Sequence, residues 1–134
     1  MSSFGAIGIS GSGIDAAEAW INTAAGNIAN ANDTVPTNQA VYAAQNPIFT
    51  PINTAGQVGE GVAVTGYALD SGAGMIQHDP TNPMHDANGN VRVANVDLAS
   101  QMVGLIQAQE DYQVNASALS HAKQAYTSAL TLGS

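Results

Sequence analysis

The chain reads as an α+β protein in which long N- and C-terminal helices pair as an antiparallel coiled-coil hairpin, with a small loop-rich β module between them. Three observations predict this. Ile7, Ile14, Ile21 and Ile28 recur every seven residues near the start. Near the end Leu98, Met102, Leu105, Tyr112, Ala116, Leu119, Tyr126 and Leu130 step by threes and fours, with Gln109 and Lys123 on the two polar steps. Between the two seams the composition turns to Gly, Pro, Asn and Thr, and all five prolines, at 36, 47, 51, 80 and 83, fall there. Heptad seams are what helices show when they supercoil on a partner. The expected boundaries are therefore 1–33 for the first helix, 34–94 for the β module and 95–134 for the last helix.

Helical periodicity begins at about Phe4 and runs to Ala31. Ala17, Ala24 and Ala31 follow an Ile by three, so large and small residues alternate along the seam. Asn32, Asp33 and Pro36 close the helix. Glycines at 5, 8, 11, 13 and 26 each cost about 1 kcal/mol relative to Ala, so this helix depends on packing. In the middle region Val41-Tyr42 and Ile48-Phe49 are candidate strand pieces, and the alternation from Val62 through Leu69 reads more firmly as a strand. Asn88-Gly89 ahead of Val91-Arg92-Val93 has the preferences of a type I′ hairpin turn. For the last helix Asn95 is the expected cap, Asp97 suits the first turn and Gly133 ends it. Some 36 residues make a rod of about 55 Å, beyond the ~30 Å diameter of a small domain. Part of its seam should face another polypeptide.

Composition supports that reading. The chain has 134 residues, 24 of them Ala and only seven aromatic. Small side chains bury little area each at about 25 cal/mol per Å², so a private core would be thin. Ten acidic residues against Lys123 and Arg92 give a net charge of -8, which excludes a phosphate-backbone partner and disfavours an anionic membrane surface. Cysteine is absent, so no disulfide or thiolate metal site is possible. The start, Met-Ser-Ser-Phe-Gly-Ala, carries no cation ahead of an apolar run, so no cleaved signal peptide is expected. No stretch approaches the ~20 apolar residues of a membrane span.

Motifs that suggest chemistry each have a plainer reading. Gly11-Ser-Gly13-Ile-Asp-Ala16 matches a loose dinucleotide fingerprint but has no room for the strand that must precede it. Asp86-Ala-Asn88-Gly89-Asn90 resembles a calcium loop, yet its Gly falls fourth instead of sixth. His78 and His85, with Asp79 and Asp86, lack the tight ligand spacing of zinc sites. His121 has no Ser or Asp arrangement near it, and no G-x-S-x-G turn appears. An enzyme is not expected, nor a metal or other cofactor. The run Asn27-Ile-Ala-Asn30-Ala-Asn32 is less easily set aside. Buried amides need partners, so these residues either bond a neighbouring backbone or partner, or simply cap the helix end.

Ser12-Gly13-Ile14 through Asn27-Ile28-Ala29-Asn30-Ala31-Asn32 resembles the N-terminal signature of the flagellar axial family of rod, hook and hook-associated proteins. Asp79-Pro80, Asn82-Pro83, Asp86-Ala-Asn88-Gly89 and Asn95-Val96-Asp97 resemble its FlgC-type proximal rod branch. Met102-Val103, Tyr112-Gln-Val-Asn115 and the closing Leu130-Thr-Leu-Gly133 do so too. The likeness covers both termini and the segment before the last helix, and is weak from 37 to 77. Where the family usually has basic residues on its first helix, this chain has Ala16, Ala17, Glu18, Ala19 and Trp20.

The resemblance implies a structural subunit of the flagellar basal-body rod. Such a subunit is exported by the flagellar type III apparatus without signal cleavage and stacks helically with itself, other rod subunits and adjacent basal-body components outside the cytoplasmic membrane. It also implies terminal helices that are largely disordered in the free monomer. The assembly residues expected are Ile7, Ile14, Ile21, Asn27, Ile28, Asn30, Asn32, Leu98, Met102, Leu105, Tyr112, Asn115, Leu119, Tyr126 and Leu130. The competing reading is a secreted binding module whose helices form a stand-alone hairpin.

Overall fold

The computed structural model describes residues 3–53 and 59–133, so positions 54–58 of the middle module lie outside the described residues. Helix α1 spans Ser3–Ala29 and α2 spans Leu98–Leu132. Between them lie β1 (Thr34–Val35), β2 (Gln45–Pro51), β3 (Val62–Leu69), β4 (Met75–His78) and β5 (Asn90–Val93). The protein is α+β, two long helices with a small antiparallel β module.

The strands form two separate sheets. β5 is the centre of a three-stranded sheet, antiparallel to β1 on one side and β4 on the other. Its Val91 is accordingly among the most buried side chains. β2 and β3 form an antiparallel hairpin that bulges between Ile48 and Phe49. Two strands leave each one with a free edge, which is why Pro47, lacking an N–H, sits inside β2.

Four local expectations are corrected. Val41-Tyr42 is not a strand: Val41 N–H bonds Gly72 C=O and Tyr42 N–H bonds the Asp33 carboxylate, which consumes the donors a ladder would need. Strands β1 and β4 were not foreseen, because two residues and a fully exposed MIQH segment show no alternation. Asn88-Gly89 is not a type I′ turn. The turn is Asp86–Gly89, closed by Gly89 N–H to Asp86 C=O at 2.9 Å, and Gly89 alone has a positive φ, +76°. A type I′ turn needs positive φ at both central residues, here Ala87 and Asn88. Finally, α2 is capped by Asp97 and not Asn95: the Asp97 carboxylate accepts from the N–H groups of Ala99 and Ser100. A side chain two or three residues ahead of those orphan donors reaches them, and one at Asn95 is too far back.

The core is thin and made of small residues: Ala16, Ala17, Ala24, Ala31, Val41, Ala44, Val91, Ala94 and Ala108. The accessible surface is 8365 Å², against about 6,500 Å² for a compact 13.5 kDa monomer. The surplus of roughly 1,800 Å² exceeds one partner's share of a standard protein interface, about 800 Å².

Candidate assembly surface of the helix pair

The pair of helices has two broad faces, and the residues that build them differ in size. Along their contact, Asn27 donates to Gln101 Oε1 at 2.9 Å. A Cβ placed on Gly104 would lie 3.4 Å from Trp20 Nε1, and one on Gly13 would lie 2.5 Å from Asn115 Oδ1. The partners thus run 27, 20, 13 on α1 against 101, 104, 115 on α2, in opposite senses. The most buried positions on this line are Ala24, Asn27 and Ala108, at 1%, 1% and 0% exposure. Gly13 and Gly104 let the rods approach because a larger residue would meet Asn115 or Trp20.

The β2–β3 hairpin covers one face of the pair. Ser12 Oγ accepts from Val62 N–H at 3.1 Å while donating to Ile9 C=O, which ties the start of β3 to α1. Trp20 and Phe49 meet edge to face at 6.3 Å between centroids. Asn27 closes the third tie. Its Oδ1 accepts from Gln45 N–H and the Tyr42 hydroxyl, both at 2.9 Å, and its Nδ2 donates to Gln45 C=O as well as to Gln101. All four bonds an amide can make are made. This side chain therefore holds α1, the start of β2 and α2 at one point, and a slide of either helix by one turn would break all four bonds and leave the buried Asn27 amide unpaired.

Among the described residues, β2 and β3 are the strands that pack on α1, and no strand packs against α2. Successive helical residues turn by about 100°, so Ile14, two beyond Ser12, lies on the flank of α1 away from the hairpin, and Ile7, Ile21 and Ile28 follow it at heptad spacing. All four are half-buried. On α2 the hairpin side is marked by Asp111 and Asn115, which share a cleft with Phe49 and Val62. On the same rule Leu98 and Leu105 turn roughly 100–120° away from the Asp111–Asn115 stripe, whereas Leu119, one turn beyond Asn115, lies close to it. Leu105, Asn115, Leu119 and Tyr126 are half-buried, whereas Leu98, Met102, Tyr112 and Leu130 are exposed, Met102 at 54%. The line where the helices touch is made by Ala, Gly, Asn and Gln next to the expected seam positions. Of the Asn run only Asn27 is buried; Asn30 is exposed and bonds Gly26 C=O four residues back, and Asn32 is exposed. Sequence reasoning missed Gln101, Gly104 and Ala108, whose spacing of three and four could have flagged them had polar and small residues been weighed as contact formers.

The loop between β4 and β5 holds the histidines and aspartates that suggested a metal site. Asp86 Oδ1 accepts from the N–H groups of Asn90 and Asn88, and Oδ2 from the Thr37 hydroxyl. The Asn90 N–H is the chief cause that holds its carboxyl below the usual range. Asp79 is lowered likewise, chiefly by the Thr81 hydroxyl. His78 Nδ1 pairs with Asn90 Oδ1 and His85 Nδ1 with Asp86 C=O. These side chains are spent on fixing the loop. Among the described residues no group of three or more His, Asp or Glu is arranged to hold a metal ion, and no helix is long and apolar enough to cross a membrane.

Known proteins with this sequence pattern are rod components. Residues 87–132, the end of this loop, β5 and all of α2, match the family described as "Flagellar basal body rod FlgEFG protein C-terminal". The flagellar basal-body rod protein FlgC of Salmonella typhimurium is 34% identical over 125 residues, 93% of each chain. The FlgC protein of Yersinia enterocolitica gives the same figures. The chain belongs to the FlgC family of flagellar basal-body rod proteins. FlgC of Borreliella burgdorferi is 27% identical over 149 residues, covering 98% of both chains. The alignments with FlgC proteins thus span nearly the whole chain. FlgC proteins are structural rod proteins.

Proposed function

We propose that this chain is a structural subunit of the proximal flagellar rod, assembling helically with copies of itself and other rod subunits to transmit motor torque to the distal rod and hook. The observation that carries the mechanism is the apolar surface of the helix pair. The reading is supported by the half-buried Ile7, Ile14, Ile21 and Ile28 on α1 and, on α2, by the exposed Leu98, Met102, Tyr112 and Leu130 with the half-buried Leu105, Leu119 and Tyr126. Neighbours wound onto these side chains as a coiled coil would bury them, and a heterologous contact of this kind that does not close gives a helical filament. In this reading 1–33 and 95–134 form the inner wall and 34–94 the outer module. The subunit is exported by the flagellar apparatus without signal cleavage, works outside the cytoplasmic membrane beside adjacent basal-body components, and needs neither cofactor nor catalysis.

Met102→Asp tests this, since an exposed position costs the isolated protein under about 0.5 kcal/mol. Expression and export should persist while rod assembly and motility are lost, and Ile21→Asp and Leu119→Asp should stop assembly too. A motile strain with complete rods carrying Met102→Asp overturns the assignment of that face. Circular dichroism over a concentration series separates the rod from the stand-alone module. Helix signal that rises on association supports the rod, and a constant signal supports the module.

A further inference from the structure

The hairpin side of the helix pair carries a cleft of about 430 Å³ whose floor is Gly13, Ala16, Ala17 and Val62 and whose rim is Trp20, Phe49, Asp111 and Asn115. We infer that this cleft receives an arginine side chain from a neighbouring protein, its stem on the alanine floor and its guanidinium between the Trp20 indole and the Asp111 carboxylate.

Three features select that occupant. First, the rim offers acceptors in a matched pair. Asp111 is an exposed carboxylate, and Asn115, one helical turn on, spends its Nδ2 on the backbone carbonyl of Asp111 at 2.8 Å, leaving Oδ1 as the atom turned toward Gly13. A planar fork of donors meets two such acceptors better than a single ammonium does. Second, Trp20 and Asp111 line the same cleft, and an aromatic ring together with a carboxylate suits a delocalised cation. The volume admits a long side chain because Gly13 contributes none. Third, neither cationic side chain of this protein serves Asp111. The Arg92 guanidinium is held by Thr37 and Ala73 carbonyls in the β module, and Lys123 stands twelve residues along α2, about 18 Å away. With a net charge of -8, the complement to this rim must come from a different polypeptide. The inference deepens the rod reading by naming the chemistry of one contact, but its test requires no rod.

Trp20 is the only tryptophan, so its fluorescence reports the cleft directly. The purified protein is titrated with acetyl-Leu-Arg-Leu-amide and with the same peptide carrying citrulline or lysine. The arginine peptide should give a saturable change, at least about tenfold tighter than citrulline, the factor set by one charge-assisted bond, with lysine between them. Asp111→Asn should weaken it by about the same factor, Asp70→Asn should leave it unchanged, and raising salt from about 20 mM to about 0.5 M should weaken it several-fold. Equal response to arginine and citrulline, or full binding by Asp111→Asn, overturns the inference. Self-association that is lost in Lys123→Gln and competes with the arginine peptide also overturns it, by assigning the cleft to a second copy.

Discussion

Replacing Asn27 by Ala strips four hydrogen bonds from a site with 1% exposure. Each such bond is worth a net ~1 kcal/mol, and a buried partner left unpaired costs more. The Gln45 N–H and C=O are backbone groups fixed at the head of β2, so they bear the full loss. The Tyr42 hydroxyl and the Gln101 amide are half-buried and can turn to water, which discounts theirs. The expected destabilisation is about 3 kcal/mol, a large part of the roughly 5–15 kcal/mol that holds a typical domain.

Urea unfolding followed by Trp20 fluorescence and far-ultraviolet circular dichroism should show the midpoint falling with the slope unchanged. The thermal midpoint should drop by about 10 °C. Asn30→Ala, which removes one exposed bond to Gly26, should cost under about 0.5 kcal/mol. Asn27→Asp sharpens the test, because a carboxylate presents oxygen to Gln45 C=O and Gln101 Oε1 where the amide presented N–H. Burial among acceptors raises its folded pKa above the unfolded value. The added penalty should therefore grow as pH rises above the unfolded value of about 4 and fade below it. If Asn27→Ala and Asn30→Ala are equally tolerated, Asn27 is not the point where three elements are tied, and the register argument fails with it.

Other outcomes follow from the same contacts. Gly8→Ala and Gly11→Ala, where an added Cβ meets nothing within 4 Å, should each stabilise by about 0.5–1 kcal/mol. In the same melts Gly13→Ala should gain nothing, because its Cβ would displace Asn115. Amide hydrogen exchange should protect 12–31, which the hairpin ties hold, and 101–115, which packs on that part of α1, and exchange faster from Leu119 to Leu132, where the described residues are half-buried or exposed. Asp79 and Asp86 have folded pKa values below the ordinary 3.8. Their contribution to loop order is present above the unfolded value and lost as pH falls through the folded one. NMR titration should place both carboxyls below 3.8, and Asp86→Asn should remove the turn's acid sensitivity.

Much of the architecture is legible in the residues. Gly133 and the apolar series from Leu98 set α2 within a residue of its observed span, and the alternation from Val62 to Leu69 marks β3 in full. Periodicity works there because each segment is long and one face differs from the other. It fails at β1 and β4, which are two and four residues long and pair with β5 across distances in sequence that no local pattern encodes. It fails also at Asp97, since Asn95 is an equally good cap by type and only the backbone path decides which oxygen reaches Ala99 N–H. The Asn run left a choice between cap and tie. Asn27 is the tie and Asn30 bonds within its own helix terminus, a split that depends on helix phase and on where β2 passes.

The placement of the seams bears on what the protein is for. A helical hairpin built for its own stability puts Ile and Leu on the contact line and Ala outside, because a buried Leu or Ile is worth about 1.5–3 kcal/mol and an Ala far less. Here the order is reversed. Ala17, Ala24 and Ala108 are buried, the isoleucines are half-buried, and Leu98, Met102 and Tyr112 are exposed. Small residues inside bring the two rods close and keep the pair narrow, and large residues outside leave the stronger hydrophobic driving force for the next contact. The hairpin's three ties, Ser12 to Val62, Trp20 to Phe49 and Asn27 to Gln45, then make sense as a clamp that fixes the pair's register. Under the proposed rod assembly, this division of small residues inside and large ones outside leaves the larger side chains for contacts between subunits.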